Sequence, residues 1–426
     1  MHIRLRPCRV IAVLSFVASG AASCGGGKPP AVASKDLEGP AAVTGATDVA
    51  TDSIRVDVYL DATVSMSGFT AGGASNYAKF LEALESSLSN AWKKVDIHFG
   101  KFGSTSREIQ RPEFLTARAP QFYTERGMNA VTAIDQVAKC DTGPRLNVVV
   151  TDLFQKEGDL NAIVGRIKDQ CLQKGIAVGV LAMKSQFDGS VYDARGPAYP
   201  YKAAGSDTAA YRAFYALLFG QPGQFDALVQ SLEQLSFVNA RNLVVISPFV
   251  TRSFDVTVSK SRDSKDINMS KASGPNAFNF AIRKGGTGGT LISDVALTLN
   301  PASPPPRLER TELVAFRQGP TASTSPSRDL VQKKVSSQAG KYHVEAVLTI
   351  NDPPGKYEYR IDLRTAPING FSAPAFIRAL SSDDPGPAKD PNKTLNLEKF
   401  IMDLRQAASS IRRPVLASWT LTVVKR

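Results

Sequence analysis

Histidine is nearly missing from this 426-residue chain: there are three, and His2 stands at the very start. The other two, His98 and His343, fall in runs that alternate like strands. A strand histidine is more often packed or surface-exposed than catalytic. This scarcity excludes a Cys/His metal cluster and leaves no assignable Ser-His-Asp set. Long apolar runs are also lacking. After Ala22 no run approaches the roughly 20 residues a membrane-spanning helix needs, so everything downstream is expected to be soluble. Clustered positive charge is absent too. The chain has 51 Lys and Arg against 39 Asp and Glu, a net charge of +12, but the basic residues are scattered. Without an aromatic-interleaved basic stripe, no nucleic-acid partner is expected. Attraction to anionic envelope surfaces is the more modest implication.

The N-terminus carries a pattern of its own. Arg4, Arg6 and Arg9 precede a small-residue apolar stretch, residues 10–22, too short to span a bilayer. That order reads as a signal peptide. It ends in Ala21-Ala22-Ser23-Cys24, followed by three glycines, and resembles a lipobox, with Ala21 in place of the usual large aliphatic. The resemblance implies a lipid on Cys24 and a membrane-anchored bacterial envelope protein, periplasmic or surface-facing. The alternative is an ordinary secretory signal with Cys24 as a free thiol. Processing at Cys24 removes three arginines and no acids, which lowers the net charge from +12 to about +9. Residues 24–50 are rich in Gly, Pro, Ala, Ser and Thr and read as a flexible tether. Cys140 and Cys171 then remain, and two thiols in an oxidising compartment point to one disulfide; the alternative is two buried free thiols.

The composition changes near residue 245. Before it, strands are expected at 54–60, 95–102, 146–150, 176–182 and 243–246. Helices are expected at 77–88, 130–138, 160–172, 211–219 and 225–235. Strands alternating with helices imply an α/β fold with a doubly wound, mostly parallel sheet over residues 51–248. After it, alternating runs at 254–258, 278–282, 291–299, 343–350 and 357–363 imply an all-β, sandwich-like region over 249–426. Within it a helix is expected at 397–404 and a closing strand at 415–424. Asp352-Pro353-Pro354-Gly355 reads as a hairpin, because Pro presets a turn and Gly allows positive φ. Residues 301–306 and 319–328 read as Pro/Ser/Thr-rich loops. Gly285 to Thr290 lacks the Lys of a phosphate loop and reads as a hairpin turn.

The sharpest chemical signal is Asp61-Ala62-Thr63-Val64-Ser65-Met66-Ser67-Gly68, at the C-terminal end of the first strand. Ligands of open α/β sheets bind outside the carboxyl ends of strands. An acid followed by hydroxyls two and four residues on can turn three oxygens toward one point, which suits a hard cation such as Mg²⁺. Asp152 sits likewise at the end of the buried run Val148-Val149-Val150-Thr151.

Together these segments resemble the von Willebrand factor A domain over roughly residues 53–248. The resemblance implies a metal-ion-dependent adhesion site built from Asp61, Thr63 (Thr replacing Ser), Ser65 and Asp152. Thr124 stands in for the third-loop Thr, whose register falls near Met128, and Leu153 takes the place of the common Gly. It implies Mg²⁺, with Mn²⁺ or Ca²⁺ as alternatives, and an envelope or surface protein partner whose carboxylate fills the open metal position. The bland alternative is that Asp61 and the hydroxyls only cap the following helix and satisfy turn amides.

Other chemistries fit less well. A haloacid-dehalogenase-type phosphatase wants a second acid two residues after Asp61, where Thr63 stands. A metal-dependent envelope hydrolase lacks bases near the site, and no catalytic residues are assigned. Residues 185–193, dense in polar and aromatic side chains, read either as a rim of the site or as a hairpin extension turning at Asp188-Gly189. The expectation is a binding protein, with an envelope hydrolase or a structural protein with a dead metal site as the alternatives.

Overall fold

The computed structural model describes residues 52–70, 74–128, 132–141, 143–153, 157–192, 198–248, 251–274, 276–299, 311–318, 326–338, 341–365, 372–384, 389–411 and 415–426. The expected signal and tether with Cys24, and the expected loops at 301–306 and 319–325, lie outside them. Among the described residues no helix is long and apolar enough to cross a membrane.

The first part contributes nine strands: β1 (Ser53–Asp61), β2 (Lys94–Phe102), β3 (Ser106–Ile109), β4 (Arg145–Thr151), β5 (Ala177–Ser185), β6 (Phe187–Val191), β7 (Tyr199–Ala203), β8 (Arg212–Gly220) and β9 (Leu243–Ile246). Its helices are α1 (Asn76–Ala91), α2 (Arg111–Thr116), α3 (Glu157–Gln170) and α4 (Pro222–Leu232). Seven strands form one sheet in the order β3-β2-β1-β4-β8-β5-β9, while β6 and β7 pair as a separate hairpin.

The α/β class holds, but the sheet is mixed rather than mostly parallel. Only β1–β2 and β1–β4 run parallel; β2–β3, β4–β8, β5–β8 and β5–β9 are antiparallel. The cause lies at residues 211–219, where a helix is expected and a strand is found. Every residue of β8 is buried. A continuous apolar run has no face to betray its period, and Ala and Leu favour a helix locally. The slot between β4 and β5 decides otherwise. The expected helix at 130–138 is a single 3-10 turn, Ile134–Gln136, with residues 129–131 outside the described set.

One face of the sheet is covered by α1 and α4. Ser75 caps α1 by accepting from Ala78 N, and Tyr77, Phe80, Leu81, Leu84 and Leu88 form its buried stripe. The other face is covered by α3 and by two helices from far downstream, α5 (Ala375–Leu380) and α6 (Leu397–Ile411). Leu397, Phe400, Ile401, Leu404, Ala407 and Ala408 of α6 repeat at helical spacing and join Ile134, Leu153, Leu160, Ile163 and Ile167 in one core. Burying each of the larger side chains is worth about 1.5–3 kcal/mol. The linear division at 248 therefore does not describe the packing: Ala373 and helices α5 and α6 belong to the α/β core. Cys140 and Cys171 are joined in a disulfide in the same core, with Cα atoms 5.1 Å apart and a sequence separation of 31. In the chain-entropy account a loop of this size stabilises by about 3–4 kcal/mol.

The rest is a two-sheet sandwich of β10 (Thr251–Lys260), β11 (Ile267–Gly274), β12 (Ala277–Ile282), β13 (Gly288–Leu299), β14 (Glu312–Gln318), β15 (Leu330–Gln338), β16 (Lys341–Thr349), β17 (Gly355–Arg364) and β20 (Val415–Lys425). The short pair β18 (Ser381–Ser382) and β19 (Thr394–Leu395) brackets the strap into α6. The sheets run β10-β13-β16-β15 and β11-β12-β20-β17-β14. Both expected hairpin turns instead cross between sheets: 352–355 joins β16 to β17, and 285–290 joins β12 to β13. Turn residues specify a chain reversal, not the partner beyond it. At the first crossing, Lys425 Nζ donates to the carbonyls of Ile350 (2.8 Å) and Asp352 (2.7 Å), tying the turn to β20.

Because α6 closes the α/β core, residues 51–248 expressed alone should be unstable and bind a hydrophobic dye. In the full chain Phe400→Ala should cost about 3–5 kcal/mol of stability in urea unfolding. A dye-silent, cooperatively folding 51–248 fragment would show α6 to be dispensable.

Candidate functional site

Strands β1, β2, β4 and β5 all end at one edge of the sheet, and antiparallel β8 begins there. The register places Ser185 opposite Arg212 and Thr151 opposite Tyr215. Asp61 closes β1 and is fully buried, and Asp152 directly follows β4 and is fully buried too. The chain leaves β1 through a 3-10 turn, Val64–Thr70, which folds the hydroxyls back over Asp61.

The contacts are specific. Asp61 Oδ1 accepts from the Thr63 backbone N–H (2.9 Å) and from Thr63 Oγ1 (2.6 Å). Its Oδ2 accepts from Thr151 Oγ1 at 2.7 Å. Thr63 Oγ1 lies 3.1 Å from Ser65 Oγ, and Thr132 Oγ1 reaches Thr63 Oγ1 at 3.4 Å. The structure thus brings Asp61, Thr63 and Ser65 together, with Asp152 near enough to act on Asp61 electrostatically. Thr124 stands elsewhere: it is exposed, and its hydroxyl donates to the Gln121 carbonyl at 2.8 Å. Thr132, not Thr124, is the threonine that reaches Thr63. Ser67 donates to the Val64 carbonyl and serves the turn (2.7 Å).

Neighbouring segments hold this loop in shape. A Cβ on Gly68 would overlap the Phe187 ring, and one on Gly189 would fall 2.8 Å from Gly68 Cα. Hairpin β6–β7 therefore packs directly on the loop. Asp188-Gly189 lies inside β6 rather than at its turn. Leu153 adopts a left-handed φ of 54°. That conformation is costly for a side chain with a Cβ, and Leu153 is held in it by burial among Ile134, Leu160, Leu397 and Phe400.

Among the described residues no group of three or more His, Cys, Asp and Glu side chains gathers around one point. His98 bonds Asp96 (2.9 Å) and His343 bonds Asp294 (2.7 Å), both on strand surfaces. The Asp61 cluster holds two carboxylates and supplements them with hydroxyls. No family model matches this chain, and no curated protein matches it. What the site does is therefore argued from its own chemistry.

Burial and the nearby Asp152 charge push the Asp61 carboxyl up to about 7, against the opposing hydrogen bonds from Thr63 and Thr151. Arg212, 2% exposed at the start of β8, has its guanidinium pulled below its ordinary range by burial, with Asp152 opposing. Sequence reasoning missed Arg212 because β8 was expected as a helix. Thr151 adjoins Asp152 in the motif itself. Nothing local distinguishes Thr132 from other loop threonines.

An acid whose folded pKa is raised binds its proton more tightly in the native than in the unfolded state. Cation-free protein should therefore lose stability as pH rises from 3.8 toward 7. The expected loss is of the order of a few kcal/mol. Asp61→Asn, neutral at every pH, should abolish that slope in thermal melts between pH 4 and 8. An unchanged slope in the variant would assign it to other groups.

Proposed function

We propose that this chain is a lipid-anchored envelope protein that binds a protein partner through a von Willebrand factor A-like module holding a divalent cation. The observation that carries the reading is the chain of hydroxyls from Thr132 through Thr63 to Ser65, set over Asp61 beside Asp152 at the strand ends. Thr63 Oγ1 donates its hydrogen bond to Asp61, so toward Ser65 and Thr132 it acts as an acceptor, the role in which a hydroxyl could take a cation in their place. All donors are oxygen, the chemistry of Mg²⁺, with Mn²⁺ or Ca²⁺ as alternatives. A cation would also relieve the repulsion between the two buried carboxylates. Protein oxygens on one side of an ion leave a position open, and a carboxylate from the partner suits it. Antiparallel β8 and β9 depart from the mostly parallel sheet the family implies.

One observation favours a second reading, a structural envelope protein without metal. Buried Arg212 lies within electrostatic range of Asp152 and supplies a resident positive charge. A metal-dependent hydrolase draws no comparable support, since no histidine stands in the cluster. The anchor is proposed on Cys24 and places the module at a membrane; nucleic acid is not its partner.

Calorimetry with Mg²⁺ separates the first two readings. Asp61→Ala should abolish binding, Thr63→Ala and Thr132→Val should weaken it several-fold, and Thr124→Ala should leave it intact. A folded wild-type protein that takes up no Mg²⁺ or Mn²⁺ at millimolar concentration would leave the loop a structural turn. For the anchor, Cys24→Ser should release the protein from bacterial membranes in fractionation. An unacylated mature N-terminus at another residue, seen by mass spectrometry, would refute it.

A further inference from the structure

We infer that Arg212 is an anion-recognition residue of the Asp61–Asp152 site, the guanidinium that receives a partner's carboxylate beside the cation. The inference rests on the cation reading proposed above. It begins with topology. Because β8 runs antiparallel between β4 and β5, its first residue arrives where its neighbours end.

The environment of Arg212 is unusual for a buried charge. Burying a guanidinium is costly, and the usual compensation is a carboxylate held by its planar fork. Among the described residues none lies within ion-pair distance of Arg212, although Asp152 acts on it from further away. Its hydrogen bonds go instead to two neutral backbone carbonyls in the strap before α6, Pro391 (2.6 Å) and Lys393 (3.5 Å). Both use Nη1. The Nε–Nη2 edge, which can pair side-on with a carboxylate, takes no part in them. The Phe187 ring lies 5.5 Å from the guanidinium and also packs on Gly68 of the Asp61 loop, so one side chain touches both halves of the site.

Charge selects the ligand. Asp61 and Asp152 together cancel a divalent cation. Among the described residues of the site, Arg212 then adds one positive charge, which one carboxylate neutralises and a phosphate dianion overshoots. The chemistry is that of an acidic side chain or a chain terminus. The strap carbonyls hold the fork in place without neutralising it.

The test uses the full mature chain, with acetate and inorganic phosphate as probes. Mg²⁺-loaded wild type should bind acetate more tightly than phosphate. Arg212→Gln should weaken acetate binding at least tenfold, with Mg²⁺ affinity unchanged or tighter, and Arg212→Lys should fall between. Equal acetate affinity in wild type and folded Arg212→Gln would overturn the inference, as would Mg²⁺-loaded wild type that ignores acetate or prefers phosphate. If wild type takes no Mg²⁺, the cation reading fails on its own. Arg212 then keeps its role only if metal-free wild type binds acetate and Arg212→Gln does not; otherwise both fall. Should Arg212→Gln not fold, the Nε–Hε resonance of Arg212 in wild type, assigned through Arg212→Lys, must shift with acetate. A resonance that stays still refutes the assignment.

Discussion

A sheet with two apolar faces must have both covered, and in this protein the second cover comes from the far end of the chain. Helices α1 and α4 shield one face and follow locally from β1 and β8. On the other face α3 is joined by α6, which is delivered only after the chain has built most of the sandwich. That requirement accounts for the strap at 389–396. Arg212 donates to its carbonyls, Tyr215 Oη donates to Thr394 Oγ1 at 2.9 Å, and Asn392 Nδ2 donates to the Ala209 carbonyl at 3.1 Å. The segment that completes the core thus also braces the edge where the acidic cluster lies. Leu153, beside Asp152, packs against Leu397 and Phe400, so the core and the site share a wall.

The electrostatics of that edge follow from the same burial. Two carboxylates removed from water repel each other, and the protein answers with hydroxyls and an amide on Asp61 and with Arg212 near Asp152. Such an arrangement binds a proton readily and has the donors for a hard cation. A turn that merely capped a helix would need neither the second acid nor the Thr132 hydroxyl; α1 already has its own cap in Ser75.

Residues with a strong period or a strong chemical spacing were legible from the sequence. The stripe Tyr77, Phe80, Leu81, Leu84 and Leu88 marked α1, and the Asp61-x-Thr63-x-Ser65 spacing marked the loop. The two buried cysteines pointed to the bridge that forms. Residues 211–219 were not legible, since an apolar run bears the same pattern in a buried strand and a buried helix. The residues of 285–290 and 352–355 specify reversals but not crossings between sheets. Thr124 and Thr132 flank Met128 at equal distance in sequence, and only the fold carries Thr132 to Thr63.

The sequence by itself determined the α/β start, the β-rich remainder and the acidic loop at the end of the first strand, and it pointed to the bridge between Cys140 and Cys171. These depend on local periodicity, local turn chemistry and a count of thiols. Only the tertiary structure decided the antiparallel place of β8, the arrival of Arg212 at the carboxyl edge, the choice of Thr132 and the return of α6 to the first core. Each of those depends on contacts between residues far apart in the chain, where burial and strand pairing override what any short segment prefers alone.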